Sequence, residues 1–308
     1  MPHSDTDARP SHAGVIDVDG IPMSTLVCEV ERPRAVLLAL HGGATTSTYY
    51  DCPGHPDLSL LRTAAALGYT AIALDRPGYG ASERYAEEVA ATSRQIDLAF
   101  AAVDALLANR PRGAGVFLLG HSAGCELATR MAADERGREF IGLEIAGTGL
   151  HHQWTVSNVL DSMERDATTG RRLPRGLRAM LWGPRRLYAP DVYSDPSITA
   201  RTPGYEIHVR HWVNGLPELA ARVRVPVHLT LGDHETVWRS GPEALTEVAA
   251  LFTASPRVRT HEQTEAGHNL SLGLTARAYH LHILSFLEEC AVLGQADGDQ
   301  LRASAFSR

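Results

Sequence analysis

The chain has 308 residues, 44% apolar and 21% charged, with a formal net charge of −7, a balance that excludes disordered, collagenous and membrane-spanning classes. All 29 basic residues are arginine, with no basic run at either end, so binding to nucleic acid by phosphate neutralisation or to an anionic membrane surface is not expected. Cys28, Cys52, Cys125 and Cys290 lack metal-ligand spacing and are too sparse for a disulfide scaffold, which points to reduced thiols.

From the N-terminus, Met1 to Gly14 is polar with no apolar core, and no later run approaches the roughly 20 apolar residues of a membrane span. A soluble cytoplasmic protein is expected. Ala35 to Leu40 is a continuous apolar run that stops at His41-Gly42-Gly43, as a strand buried on both faces would. Ser59 to Gly68 reads as a helix stopped by glycine, Thr70 to Asp75 as a strand closed by a Pro-Gly turn, and Ser93 to Arg110 as a long helix. Strand Gly115 to Gly120, helix Cys125 to Asp134 and strand Ile141 to Gly147 follow. Such alternation implies right-handed crossovers and a parallel sheet with helices on both faces.

Between Leu150 and Arg222 the alternation breaks, and Trp154, Trp182 and Trp212, three of the four tryptophans, fall there among Gly-Pro and Asp-Pro turns. The expected organisation is a core domain, residues 1–149 and 223–308, interrupted by a helical cap, residues 150–222. The alternation resumes with strand Val225 to Gly232, helix Pro242 to Thr253, strand Val258 to Glu262 and a last helix, Ala276 to Leu293.

The sharpest chemical signal is Gly120-His121-Ser122-Ala123-Gly124, set where a strand hands over to a helix. A serine on so tight a turn stands clear of the sheet edge, and glycine on both flanks makes room for it. Its hydroxyl is a weak nucleophile, so it needs an imidazole to take the proton and a carboxylate to hold that imidazole. His268, in the loop Ala266-Gly267-His268-Asn269 before the last helix, is the expected base. His121 adjoins the serine but is expected to pack. Asp233 and Glu235, after strand Val225 to Gly232, are the candidate acids.

Together with His41-Gly42-Gly43 and Asp75-Arg76-Pro77-Gly78-Tyr79-Gly80, these motifs give nearly the whole chain a resemblance to the α/β-hydrolase family. The resemblance implies an eight-stranded, mostly parallel sheet and a Ser, acid, His triad in that order. Members carry the acid three residues past the glycine ending the strand, which here is Glu235, although aspartate is the commoner residue; Asp233 remains the alternative. The oxyanion donors implied are the amides of Gly43, or alternatively Ala44, and of Ala123. The reaction implied is cleavage of a carboxylic ester, thioester or lactone without cofactor or metal. Acyl transfer or cyclisation, carbon–carbon bond hydrolysis, and a non-catalytic ligand-binding descendant remain open readings. No dinucleotide loop or P-loop is present, and His261-Glu262 lacks the second histidine of a zinc-protease motif.

The segment from His151 to Arg222 holds ten arginines against seven acids, and Arg171, Arg172, Arg175 and Arg178 recur at near-helical spacing. A solvated helix face explains them, as would contact with an anionic carrier of the acyl group. Trp154, Trp182, Tyr188, Tyr193, Tyr205 and Trp212 suggest an aromatic pocket roof and hence a hydrophobic acyl substrate, a small molecule or one held on a carrier.

Overall fold

The N-terminal hairpin joins β1 (His12–Val18) to β2 (Ile21–Cys28) through Asp19 and Gly20, both at positive φ, the two-residue turn whose twist matches paired strands. It belongs to a computed structural model that describes residues 10–158, 181–193 and 195–305. The six further strands are β3 (Val36–Leu40), β4 (Thr70–Leu74), β5 (Val116–His121), β6 (Phe140–Ala146), β7 (Val227–Gly232) and β8 (Val258–Gln263). They form one sheet in the order β1-β2-β4-β3-β5-β6-β7-β8, antiparallel through β1, β2 and β4 and parallel from there on.

Helices among the described residues include α1 (Leu60–Ala66), α2 (Thr92–Leu107), α3 (Gly124–Ala133), α4 (Leu216–Ala220), α5 (Pro242–Ala249) and α6 (Ala276–Ala305). β3, β4 and β5 are wholly buried, which explains their unbroken apolar runs. One hydrophobic cluster packs α2, α3 and α5 on one face of the sheet, and a second packs α1 and α6 on the other. Ser59 caps α1 by accepting from the Arg62 amide, and Gly68 ends its turn at positive φ.

Between β6 and β7 lies an insertion whose described parts include the 3-10 turns Arg185–Leu187, Pro196–Ile198 and Gly204–Gly215 as well as α4. Trp182, Leu187 and Tyr188 join the α1/α6 cluster and Trp212, Val213 and Leu216 join the other. Arg171, Arg172, Arg175 and Arg178 lie outside the described residues. Among the described residues no helix is long and apolar enough to cross a membrane, and all four cysteines are buried.

The crossover from β3 runs to β4 on one side and the next, from β4, runs to β5 on the other side of β3, so the sheet switches direction at the carboxyl ends of β3 and β5. That crevice is where open α/β sheets bind ligands.

Candidate active site

Ser122 occupies the switch point, between the end of β5 and the start of α3, with φ +51°. Its amide donates to the Ala146 carbonyl at 2.8 Å, and its own carbonyl accepts from Thr148 Oγ1 at 3.2 Å, so a conformation rare for a side-chain-bearing residue is fixed on both sides. A Cβ on Gly124 would lie 2.3 Å from the Leu40 carbonyl oxygen, and one on Gly120 would lie 2.8 Å from Cys125 Cα. The turn therefore closes only with glycine at both flanks, and it leaves the serine half-buried.

His268 reaches Ser122 from the loop after β8, with Nε2 2.9 Å from Oγ. Its Nδ1 lies 3.0 Å from each oxygen of Glu235, whose side chain is fully buried at the end of β7 and also accepts from the Val237 amide at 2.8 Å. A carboxylate only accepts, so Nδ1 carries the proton and Nε2 presents its lone pair to the serine hydroxyl. This arrangement can remove the hydroxyl proton and hold the imidazolium that results.

Asp233 points to a different task. Its two oxygens accept from the amides of Glu265 at 2.9 Å and Ala266 at 3.0 Å, fixing the loop that carries His268. Burial pushes its carboxyl up, but these amide bonds outweigh it and hold the group below its ordinary value. The His234 amide donates to the Ala266 carbonyl, and a Cβ on Gly232 would strike that carbonyl oxygen at 2.2 Å, so strand end and histidine loop are in direct contact.

His121 is 2% exposed, stacks on Tyr49 at 4.4 Å and meets the His268 carbonyl through Nε2 at 2.9 Å. A carbonyl accepts, so Nε2 carries the proton. Burial, reinforced by His268, lowers the His121 pKa to about 3 and keeps the ring neutral beneath the base.

The opposite flank is the turn Gly42-Gly43-Ala44. A Cβ on Gly42 would approach Ser122 Cβ to 3.2 Å, and one on Gly43 would stand 3.8 Å from Ala123 Cβ, so the Gly42–Gly43 backbone runs directly beside Ser122 and Ala123. The Ala44 amide, at φ +55°, is engaged, donating to Tyr79 Oη at 3.1 Å. Tyr79 in turn donates to Glu206 Oε2 at 2.7 Å, and Glu206 forms an ion pair with Arg76. Sequence reasoning quoted Arg76 and Tyr79 only as motif residues and did not single out Glu206.

Of the aromatic residues expected over the pocket, Trp182, Tyr188 and Trp212 are 5%, 3% and 6% exposed within the two hydrophobic clusters, whereas Trp154 is 78% exposed. Trp182 and Tyr188 bear on the histidine loop, since a Cβ on Gly267 would meet Tyr188 Oη at 2.7 Å and the Trp182 carbonyl oxygen at 3.0 Å. A cavity of about 370 Å³ is lined by Leu150, His151, His152 and Val213 among others. Among the described residues no group of three or more His, Cys, Asp or Glu side chains could hold a metal ion.

The chain belongs to the alpha/beta hydrolase family, whose profile matches residues 36–279. Its structure is similar to a thermostable carboxyl esterase from Bacillus coagulans, with 17% identity, TM-score 0.65, and 92% of this chain and 99% of that chain covered. It is also similar to a thioesterase domain of the curacin biosynthetic pathway, with 19% identity, TM-score 0.56, and 90% and 100% covered. An epoxide hydrolase from Vigna radiata gives 18% identity, TM-score 0.59, and 91% and 98% covered. No curated protein sequence matches the chain. At such identities the likeness carries the fold, and the bond acted on has to be argued from the site.

Proposed function

We propose that the protein is a serine hydrolase that cleaves a carboxylic ester, thioester or lactone of a small-molecule acyl substrate through an acyl-enzyme on Ser122. The observation that carries this reading is the unbroken relay from Ser122 Oγ through His268 to Glu235, at 2.9 Å and 3.0 Å.

His268 Nε2 takes the hydroxyl proton as Oγ attacks the acyl carbon, and the carbonyl oxygen becomes an oxyanion between the amides of Gly43 and Ala123. Collapse breaks the bond to the leaving oxygen or sulfur, which receives the proton from His268. Water then adds to the acyl-enzyme, giving its proton to the same nitrogen. Breakdown returns a proton to Ser122 Oγ and releases the acid. Glu235 stays ionised and holds the Nδ1–H tautomer. Because Ala44 already donates to Tyr79, Gly43 is the better second oxyanion donor. A serine nucleophile suits acyl transfer and not the alkylation of a carboxylate that opens an epoxide.

The test is intact-protein mass after treatment with a fluorophosphonate. One adduct on the wild type, absent from Ser122→Ala and from His268→Ala, is the expected result. An untouched wild type that also leaves aryl esters intact would sink the reading. With the adduct in hand, esters, thioesters and lactones of graded acyl length identify the bond.

A further inference from the structure

In a trans peptide the carbonyl of one residue and the amide N–H of the next point in opposite directions. Whatever grips the Gly42 carbonyl therefore aims the Gly43 N–H. That carbonyl accepts from His41 Nδ1 at 2.8 Å, Thr45 Oγ1 at 3.1 Å and Arg76 Nη2 at 3.2 Å. Only Arg76 brings a charge.

Arg76 and Glu206 are buried, with side chains 4% and 3% exposed. Glu206 comes from the β6–β7 insertion, and its Oε2 would stand 3.0 Å from a Cβ on Gly43. An unneutralised carboxylate there would oppose negative charge developing at the Gly43 amide, and Arg76 cancels it. The insertion also bonds the turn and the neighbouring β4 loop: the Ala200 amide donates to the Ala44 carbonyl at 2.9 Å, and Tyr205 Oη donates to the Pro77 carbonyl. Tyr79, held by Glu206, fixes the Ala44 amide.

We propose that Arg76 and Glu206 are positioning residues for the oxyanion hole, through which the β6–β7 insertion orients and polarises the Gly42–Gly43 peptide. This rests on the serine-hydrolase reading for its chemistry and on the buried pair for its structure. Arg76 draws electron density toward the Gly42 carbonyl and so sharpens the Gly43 N–H as a donor. Glu206 holds the guanidinium in place and keeps the pair neutral. Neither touches the reacting atoms.

The experiment compares wild type, Arg76→Met, Glu206→Gln and the double variant by rate of fluorophosphonate labelling, with hydrogen exchange of segments 41–46 and 264–269 measured in parallel. Arg76→Met is expected to label about a hundredfold more slowly, the size of a lost oxyanion donor. Glu206→Gln keeps one oxygen where Glu206 offers Oε1 to Arg76 and Oε2 to Tyr79, so one contact and the neutralising charge are lost and labelling should slow by about tenfold. The double variant removes the stranded carboxylate and should regain about tenfold over Arg76→Met, a coupling that a merely structural role would not give. Exchange should quicken at 41–46 and not at 264–269.

Should Arg76→Met fail to fold, Arg76→Lys, which keeps the charge and loses the planar fork, should label about tenfold more slowly with the same exchange pattern. Labelling of the Arg76 variants at the wild-type rate, or a double variant no faster than Arg76→Met, overturns the proposal. If the wild type itself refuses the probe, the hydrolase reading is what fails. Exchange then decides the positioning claim, which is lost if 41–46 stays protected in Arg76→Met.

Discussion

On one flank of Ser122, His268 takes its hydrogen bonds from residues near the ends of β5, β7 and β8: Glu235 grips its ring, Asp233 its loop and His121 its carbonyl, with Trp182 and Tyr188 of the insertion packed on that loop. On the other flank, the Gly42-Gly43-Ala44 turn is bonded by Arg76 and Tyr79 from the β4 loop and by Ala200 from the insertion, whose Glu206 and Tyr205 hold that loop at Arg76, Tyr79 and Pro77. The proposed acid–base relay is thus hydrogen-bonded from the sheet and only packed upon by the insertion, whereas the proposed oxyanion side takes hydrogen bonds from the inserted chain itself. Proton-transfer geometry should survive changes in the insertion that oxyanion stabilisation does not.

The largest expected effect comes from the residue both flanks serve. Ser122→Ala should lower kcat on any turned-over ester by about 10⁶, with His268→Ala close behind and the double variant no worse than either, since members of a relay act as a unit. Additive losses in a steady-state comparison of the three would show that the relay in the structure is not the one that works.

Next in size is the contrast between the two carboxylates. Glu235→Gln keeps the shape but fixes His268 in the wrong tautomer, and about 10⁴ in kcat should be lost. Asp233→Asn replaces an oxygen that accepts from one of two loop amides, so the expected cost is stability, about 1–3 kcal/mol in a denaturant titration, with kcat changed by less than about tenfold. A reversal of those two outcomes would make Asp233 the acid.

That contrast also shows how much of the site was legible in the sequence. Gly120, Ser122 and Gly124 stand together in the chain, and the steric demand that puts glycine there is local, so the motif alone located the serine that meets His268. Glu235 could be placed by counting from Gly232, because the strand end is the reference point for the loop. The role of Asp233 could not be found that way: it bonds to amides of residues more than 30 positions away, and nothing in Leu-Gly-Asp-His-Glu distinguishes a loop staple from a triad acid. Glu206 was less visible still. It sits in a region without periodic pattern, and its meaning appears only when Arg76 and Tyr79 are beneath it. The N-terminal hairpin carried a signal, Asp19-Gly20, that chain-order reading passed over because β1 is mostly exposed and lacks an apolar run.

The smallest expected effect separates stability from both flanks. His41, His121 and His280 are fully buried, and burial is the main cause holding each below the ordinary imidazole value. Arg76 and His121 add to the effect at His41, His268 and Arg76 at His121, and Arg277 at His280. For His121 and His280 the folded pKa is about 3 against 6.5 for the free ring, so between those values the unfolded chain binds protons that the native protein refuses. Stability is unaffected above pH 6.5 and falls as the pH drops below it, by about 1.4 kcal/mol per pH unit for each such ring. His280 lies on α6, and neither of its nitrogens has a hydrogen-bond partner among the described residues. His280→Leu should therefore reduce the loss of stability between pH 7 and pH 5 by about 2 kcal/mol in urea titrations, leaving labelling of Ser122 unchanged. An unaltered pH dependence would mean that His280 is protonated in the native protein. A labelling rate that moved with it would mean that α6 reaches the site, and that the sheet and the insertion are not the only supports of its two flanks.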